Sequence, residues 1–327
     1  MKVIEHYEKA GGPLISFEII PPRRGSSVQQ VFDSLDEVMR FRPPFIDVTS
    51  HAAEAYYEEL PDGTVKRHTK RKRPGTIGLC AAIKHRYGVD PVPHVICRGF
   101  TKEETEDALI ELHYLGIDNV LAIRGDDAAP KQVAPDRSIN PYAIDLVKQI
   151  KRMNQGIYLE ELIDAQATDF CVGVGGYPEK HFEAPNLDWD IKCLKEKVDA
   201  GADYIVTQMF FDNDAYFKFV DKCRDAGITV PIVPGLKVIT SASNMSSLPR
   251  TFFVNLPGEL TEQLTKNSQQ AKRIGIEWCK KQSIELLDRG APGLHYYIMS
   301  NPMPAIEVIE SIPGLPFSKT QKTTSSQ

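Results

Sequence analysis

The sequence predicts a single-domain (β/α)8 barrel, a TIM barrel of the α/β class, and three observations carry that expectation. Short apolar runs with the composition of parallel strands buried on both faces alternate with longer amphipathic segments. There are eight such runs, with helical stretches between them and one after the last, which is the complement of a closed barrel. The runs lead into polar and aromatic residues at their C-terminal ends, where barrel chemistry is built. A doubly wound sheet usually carries a glycine-rich phosphate loop after its first strand. Here the first run meets Pro21–Pro22–Arg23 instead.

In order, the first strand is 14–20, followed by a helix over 28–41. The second strand, 45–49, runs into an insertion at 54–73 that holds Asp62–Gly63 between polar–aromatic arms, a β-hairpin signature. Strand three is 92–97, and the helix after it, 102–114, sets Ala108, Leu109, Leu112 and Leu115 on one face. Strand four is 119–123 with helix 141–154, strand five 170–175 with helix 190–200, and strand six 204–208 with helix 214–226. Strand seven is 231–235, a long helical stretch covers 260–289, and strand eight is 294–298. Gly116, Gly201, Gly227 and Gly290 close helices just ahead of a strand, as a left-handed cap requires. The barrel is expected to span 1–317, with a polar, disordered tail at 318–327.

The 327 residues hold 39 Lys and Arg against 44 Asp and Glu, a formal charge of −5. That balance excludes the broad positive field of a nucleic-acid binder. No apolar stretch nears the roughly 18–20 residues that span a bilayer, and the N-terminal segment lacks the apolar core of a secretory signal. A cytoplasmic homo-oligomer acting on small molecules, with no membrane or nucleic-acid partner, is expected. No two cysteines lie within three residues of each other, so there is no CxxC pair, and free, mostly buried thiols are expected. His94 and Cys97 sit three apart on a strand and face opposite ways, and no metal site is expected.

Glu18 is the strongest single signal. It interrupts a run that should be buried, and a buried carboxyl group is costly unless paired or kept protonated, which suits a general acid. The alternative is a structural pairing with Arg23 or Arg24. His94 in strand three reads as a ligand contact or as a satisfied core imidazole. Strand four runs into Arg124–Gly125–Asp126, where Gly125 permits a tight turn or close ligand approach and Asp126 is either functional or a helix cap. Gln208 ends strand six and can offer both a donor and an acceptor to a heterocycle edge. Lys237 after strand seven reads as a solvated loop lysine, with a Schiff-base nucleophile as the alternative. The basic arm Lys66, Arg67, Lys70, Arg71, Lys72 and Arg73 reads as a solvated hairpin or as a rim attracting phosphate or polyglutamate.

Phe17–Glu18–Ile19–Ile20–Pro21–Pro22–Arg23 closely resembles the first strand of methylenetetrahydrofolate reductases. The likeness continues in family order through Val48–Thr49, Pro93–His94–Val95, Ala122–Ile123–Arg124–Gly125–Asp126 and residues 176–181 (GYPEKH). It runs on through residues 197–203 (KVDAGAD), 207–212 (TQMFFD) and Val233–Pro234–Gly235. The resemblance implies a barrel flavoenzyme that holds FAD non-covalently. NADH or NADPH reduces the flavin and leaves, and methylenetetrahydrofolate then takes its place and is reduced to 5-methyltetrahydrofolate.

By that resemblance Glu18 matches the general acid, Asp126 the carboxylate beside flavin and pterin, and Gln208 the residue bonding the pterin. Thr49, Ala52, His94, Arg124, Gly125, Asp126, Ala143, Tyr177, His181, Ala184, Asp190 and Lys197 fall on FAD-contacting positions. Leu248 stands where some bacterial members pack a phenylalanine on substrate, and Pro302 where they have an arginine. Cys193 and Glu196 replace two further FAD-contacting residues of those members. The chain ends before the S-adenosylmethionine-responsive domain of eukaryotic members would begin, so that inhibition is not expected. The rival readings are another flavin-dependent barrel such as a proline dehydrogenase, a Schiff-base lyase using Lys237, and a polyanion-binding module using the basic hairpin.

Overall fold

The computed structural model describes residues 1–125 and 138–317. Asp126 and the 318–327 tail lie outside the described residues. The strands are β1 (Leu14–Ile19), β2 (Phe45–Val48), β3 (Glu54–Glu59), β4 (Val65–Lys70), β5 (Asp90–Ile96), β6 (Asn119–Ile123), β7 (Cys171–Gly176), β8 (Tyr204–Thr207), β9 (Ile232–Val233), β10 (Gly235–Leu236) and β11 (Gly293–Met299). All but β3 and β4 join one parallel sheet in the order β10-β11-β1-β2-β5-β6-β7-β8-β9. Its two ends are halves of one strand, so the sheet closes on itself as the expected eight-membered barrel.

The seventh strand is not continuous as the sequence suggested. Pro234 divides it: β9 pairs with β8 through Ile205↔Ile232 and Val206↔Val233, while β10 pairs with β11 through Gly235↔His295 and Leu236↔Tyr296. Proline has no N–H to give the ladder, so the chain changes neighbours there. The Pro234 carbonyl still accepts a hydrogen bond from His295 N at 3.0 Å. β3 and β4 form the expected hairpin as a separate antiparallel ribbon, Glu54↔Lys70 through Glu59↔Val65, turning at Gly63 with φ 79°.

Lys102–Tyr114 is a helix with the expected bounds, opened by Thr101 accepting from Glu104 N and by the Glu104 carboxylate accepting from Thr101 N. Its buried stripe is Thr105, Leu109 and Leu112, whereas Leu115 caps the helix and is 42% exposed. The long stretch 260–289 resolves into Gly258–Lys266, a 3-10 turn at Ser268–Gln270 and Ala271–Asp288, because Asn267 leaves helical geometry. Gln29–Val38, Ala143–Met153, Leu187–Asp199 and Asn213–Asp225 fall on the expected helical stretches, and Val3–Lys9, Thr76–Tyr87, Asn244–Phe252 and Met303–Ser311 are further helices. All six cysteines are free, and Cys193 is the exposed one.

Alternation along the strands divides the core in two. Phe17, Ile19, Ile46, Val48, Val120 and Val172 face outward and pack under the helices. Phe45, Val92, Leu121, Cys171, Tyr204, Val206 and Val233 fill the barrel, together with Val3 and the partly buried Ile4 and Tyr7 of the N-terminal helix. That helix closes the lower end, anchored by Val3 N donating to Asn119 Oδ1 at 2.8 Å. Gly173 is required by this filling, since a Cβ there would lie 2.3 Å from Cζ of the buried Tyr204 ring.

Candidate active site

The same alternation that lines the lower barrel with Phe45 and Val92 puts Asp47 and His94 two residues further up, on the inner face. Parallel pairing sets Glu18 level with Asp47 on one side and Tyr297 on the other. His94 Nε2 lies 3.4 Å from Glu18 Oε2 and 3.5 Å from Asp47 Oδ2. Glu18 is 9% exposed and Asp47 not at all. Neither Asp47 oxygen has a hydrogen-bond partner. Burial pushes the Asp47 carboxyl up to about 7, with His295 opposing the shift. His94 and His295 are both held below the usual histidine range by burial, so both imidazoles favour the neutral form. His295 Nδ1 lies 2.9 Å from Ser16 Oγ, again a pair of facing positions on adjacent strands.

Lys237 is not the solvated loop lysine that its position suggested. It follows Gly235 by two residues and so turns to the same face. Its Nζ donates to the Tyr297 carbonyl at 2.8 Å. Burial lowers its pKa to about 8, with the Glu18 charge opposing. The Tyr297 hydroxyl donates to the Thr207 carbonyl at 2.6 Å, over Gly235, where a Cβ would meet that hydroxyl at 2.6 Å. A cavity of about 120 Å³ opens beside Lys237, Tyr297 and Thr240.

A second group gathers after strands four and five of the barrel. Tyr177 and His181 meet edge to face at 4.7 Å, and His181 N donates to Asp190 Oδ2 at 2.8 Å. Ala184 N donates to the His181 carbonyl at 3.0 Å. Lys197 Nζ donates to the Gly175 carbonyl at 3.0 Å, and burial lowers its pKa. Arg124 forms a forked pair with Glu183, whose N donates to His181 Nδ1 at 3.3 Å. Arg124 also lies 5.7 Å from the centroid of Tyr142, next to Ala143, the first residue of the helix Ala143–Met153. Gly125 has φ 90°, the left-handed geometry its type anticipated.

The remaining expected site residues are spread around this mouth. Thr49 Oγ1 is buried with no hydrogen-bond partner, and Ala52 packs under Gly99. Gln208 is satisfied within its own turn, its Oε1 accepting from Met209 N at 2.9 Å. Leu248 is buried in a separate cluster with Met209, Phe211 and Ile239. Pro302 is the N-cap residue of Met303–Ser311, and Arg24 Nε is bonded to the Arg71 carbonyl, not aimed at Glu18. Asp47 was missed from the sequence, although it interrupts an apolar run just as Glu18 does. Among the described residues no group of three or more His, Cys, Asp or Glu side chains is arranged for a metal, and no helix is long and apolar enough to cross a membrane.

The chain is 32% identical over 289 residues to methylenetetrahydrofolate reductase 1 of Schizosaccharomyces pombe, covering 87% of this chain and 43% of that protein. It is 29% identical over 340 residues to methylenetetrahydrofolate reductase (NADH) 1 of Arabidopsis thaliana, covering 99% of this chain and 52% of that one. The chain thus spans about half the length of these curated relatives. A solved protein from Clostridium thermocellum, described as binding two copies of 5-methyl-5,6,7,8-tetrahydrofolic acid, superposes with TM-score 0.53 at 13% identity, covering 90% of this chain and 91% of that one. At that identity the superposition speaks for the fold alone. The methylenetetrahydrofolate reductase family model matches residues 2–313, from the helix that plugs the barrel to the one after its last strand, and the chain belongs to that family.

Proposed function

We propose that this barrel reduces 5,10-methylenetetrahydrofolate to 5-methyltetrahydrofolate, using NADH or NADPH through a non-covalently held FAD. The observation that supports it best is Glu18: a carboxyl group 9% exposed, at the C-terminal end of a barrel strand, with His94 beside it. When bound, the flavin supplies hydride chemistry. The residues around the mouth fit such a group. Thr49 Oγ1 is a buried, unpartnered hydroxyl, and Arg124 is a guanidinium answered by the partly exposed Glu183 carboxylate, which a phosphate can replace. His181 and Lys197 add basic side chains, and Tyr177 adds an aromatic edge.

Glu18 would protonate the departing amine of the folate's five-membered ring, since an amine leaves poorly without a proton. The ring then opens to a cationic iminium, which the negative charge of Asp126 would favour. Gln208 would turn its amide from Met209 N toward the pterin edge, and Leu248 would pack near the substrate. The test is direct. The purified protein should be yellow, release FAD on denaturation, and oxidise NAD(P)H in a methylenetetrahydrofolate-dependent reaction. A colourless protein that cannot be reconstituted with FAD overturns the reading. Lys237, with its pKa near 8, supports a lyase as the second reading. Borohydride trapping with a carbonyl substrate would favour that alternative.

A further inference from the structure

The proposed acid does not stand alone in the barrel. Glu18 and Asp47 are register partners on neighbouring parallel strands. One atom, His94 Nε2, lies within 3.5 Å of a carboxylate oxygen of each. Like charges placed opposite each other on one sheet face repel, and two carboxyl groups sharing a buried site do not both ionise freely. We propose that Glu18 and Asp47, bridged by His94, act as one carboxyl pair that shares a proton, and that Asp47 is the positioning residue setting the pH range over which Glu18 serves as an acid. This rests on the folate-reducing role proposed for Glu18.

The chemistry is a proton transfer with no change of oxidation state. The O–H bond of Asp47 breaks as its proton passes to the lone pair of His94 Nε2. That N–H bond then breaks as the proton passes to the ionised Glu18 carboxylate. The negative charge moves from Glu18 to Asp47, and bulk water resupplies the pair between turnovers. Two observations independent of titration favour Asp47 as a proton holder. Its side chain has no exposure, and both its oxygens lack the hydrogen-bond donors that a permanent buried carboxylate gathers.

Among the described residues, several titratable groups face Asp47. His295 on the last strand is held toward its neutral form by burial. Tyr7 of the N-terminal helix, Tyr204, Tyr297 and Cys80 all feel burial and the Asp47 charge as an upward push and remain protonated. Lys237 acts on the other side, its ammonium facing Glu18 and favouring the ionised form.

The test uses the flavin-loaded enzyme in separate half-reactions. In Asp47→Asn, the high-pH limb of folate reduction by pre-reduced enzyme should move down by about one pH unit or more, the coupling expected of such a pair. The low-pH plateau should stay, and the pH profile of flavin reduction by NAD(P)H should not move. An unmoved high-pH limb overturns the pairing. The second arm needs no activity. Infrared titration of the protonated carboxyl band should show a lower midpoint for Asp47 in Glu18→Gln than in the wild-type protein, because the coupling is reciprocal. An unchanged midpoint overturns the proposal even if Asp47→Asn fails to fold. Loss of folate reduction in the wild-type enzyme would instead defeat the functional reading, while the infrared arm still tests the pair.

Discussion

Replacing Asp47 with asparagine should reshape the pH dependence of stability, and the size of the effect follows from the structure. Asp47 is wholly buried, and its carboxyl titrates at about 7 in the fold against 3.8 in the unfolded chain. Between those two values the folded protein holds a proton that the unfolded chain has released. Stability conferred by the protonated form is therefore present at low pH and lost as pH rises, at up to about 1.4 kcal/mol per pH unit. Across roughly three units the loss approaches about 4 kcal/mol and levels off above pH 7. The asparagine side chain cannot ionise, and its amide matches the neutral carboxylic acid in size, so the Asp47→Asn variant should escape that loss. The histidine contributions run the other way, falling away at acid pH, and largely cancel when the two proteins are compared. Urea unfolding of both at a series of pH values gives the difference curve. The variant should gain on the wild type from about pH 5 to pH 7 and hold its lead above. Parallel curves, differing by a constant, would refute a carboxyl group titrating near neutrality.

Glu18→Gln should keep flavin reduction by NAD(P)H yet slow reduction of methylenetetrahydrofolate by at least about 10²-fold, the low end of general acid catalysis. A near wild-type folate half-reaction on the pre-reduced variant would remove Glu18 from that role. Asp126→Asn should slow the folate half-reaction more than flavin reduction, since the folate step forms a localised iminium, whereas the positive charge that hydride loss leaves on nicotinamide is spread over an aromatic ring. Equal losses in rapid-mixing measurements would make Asp126 structural. Gly173→Ala should cost about 3 kcal/mol in urea unfolding, because the new methyl falls 2.3 Å from a fully buried Tyr204 ring. A cost under about 1 kcal/mol would mean the ring yields.

The barrel was legible because strands buried on both faces announce themselves as continuous apolar runs, and all eight fall where those runs lie. The break at Pro234 was not, since Pro231 to Gly235 reads as one apolar run and nothing local says the chain will change neighbours. Thr76–Tyr87 mixes glycine, cysteine and charged residues with little amphipathic order, and Asn244–Phe252, though amphipathic, contains Pro249, a residue that argues against a helix interior. At the site, Glu18 stood out by interrupting an apolar strand. The same logic applied to Asp47 in Phe45–Val48 would have found it. Lys237 was misjudged because lysine is usually solvated. Counting by twos from Gly235 shows that it turns inward, and only packing shows what it meets there.

A ring of staves opens where its joints are shortest, and here that joint is fixed by Pro234. Each half of the split stave is matched to its neighbour by two residue pairs, whereas β1 and β11 are matched by six. Local opening therefore concentrates at this seam, and the amides of Ile232, Val233, Gly235 and Leu236 should lose hydrogen-exchange protection ahead of those in β1 and β11. The seam runs straight into Lys237, whose ammonium faces Glu18. When it parts, Lys237 should loosen with it, ahead of the strands that carry Glu18 and His295.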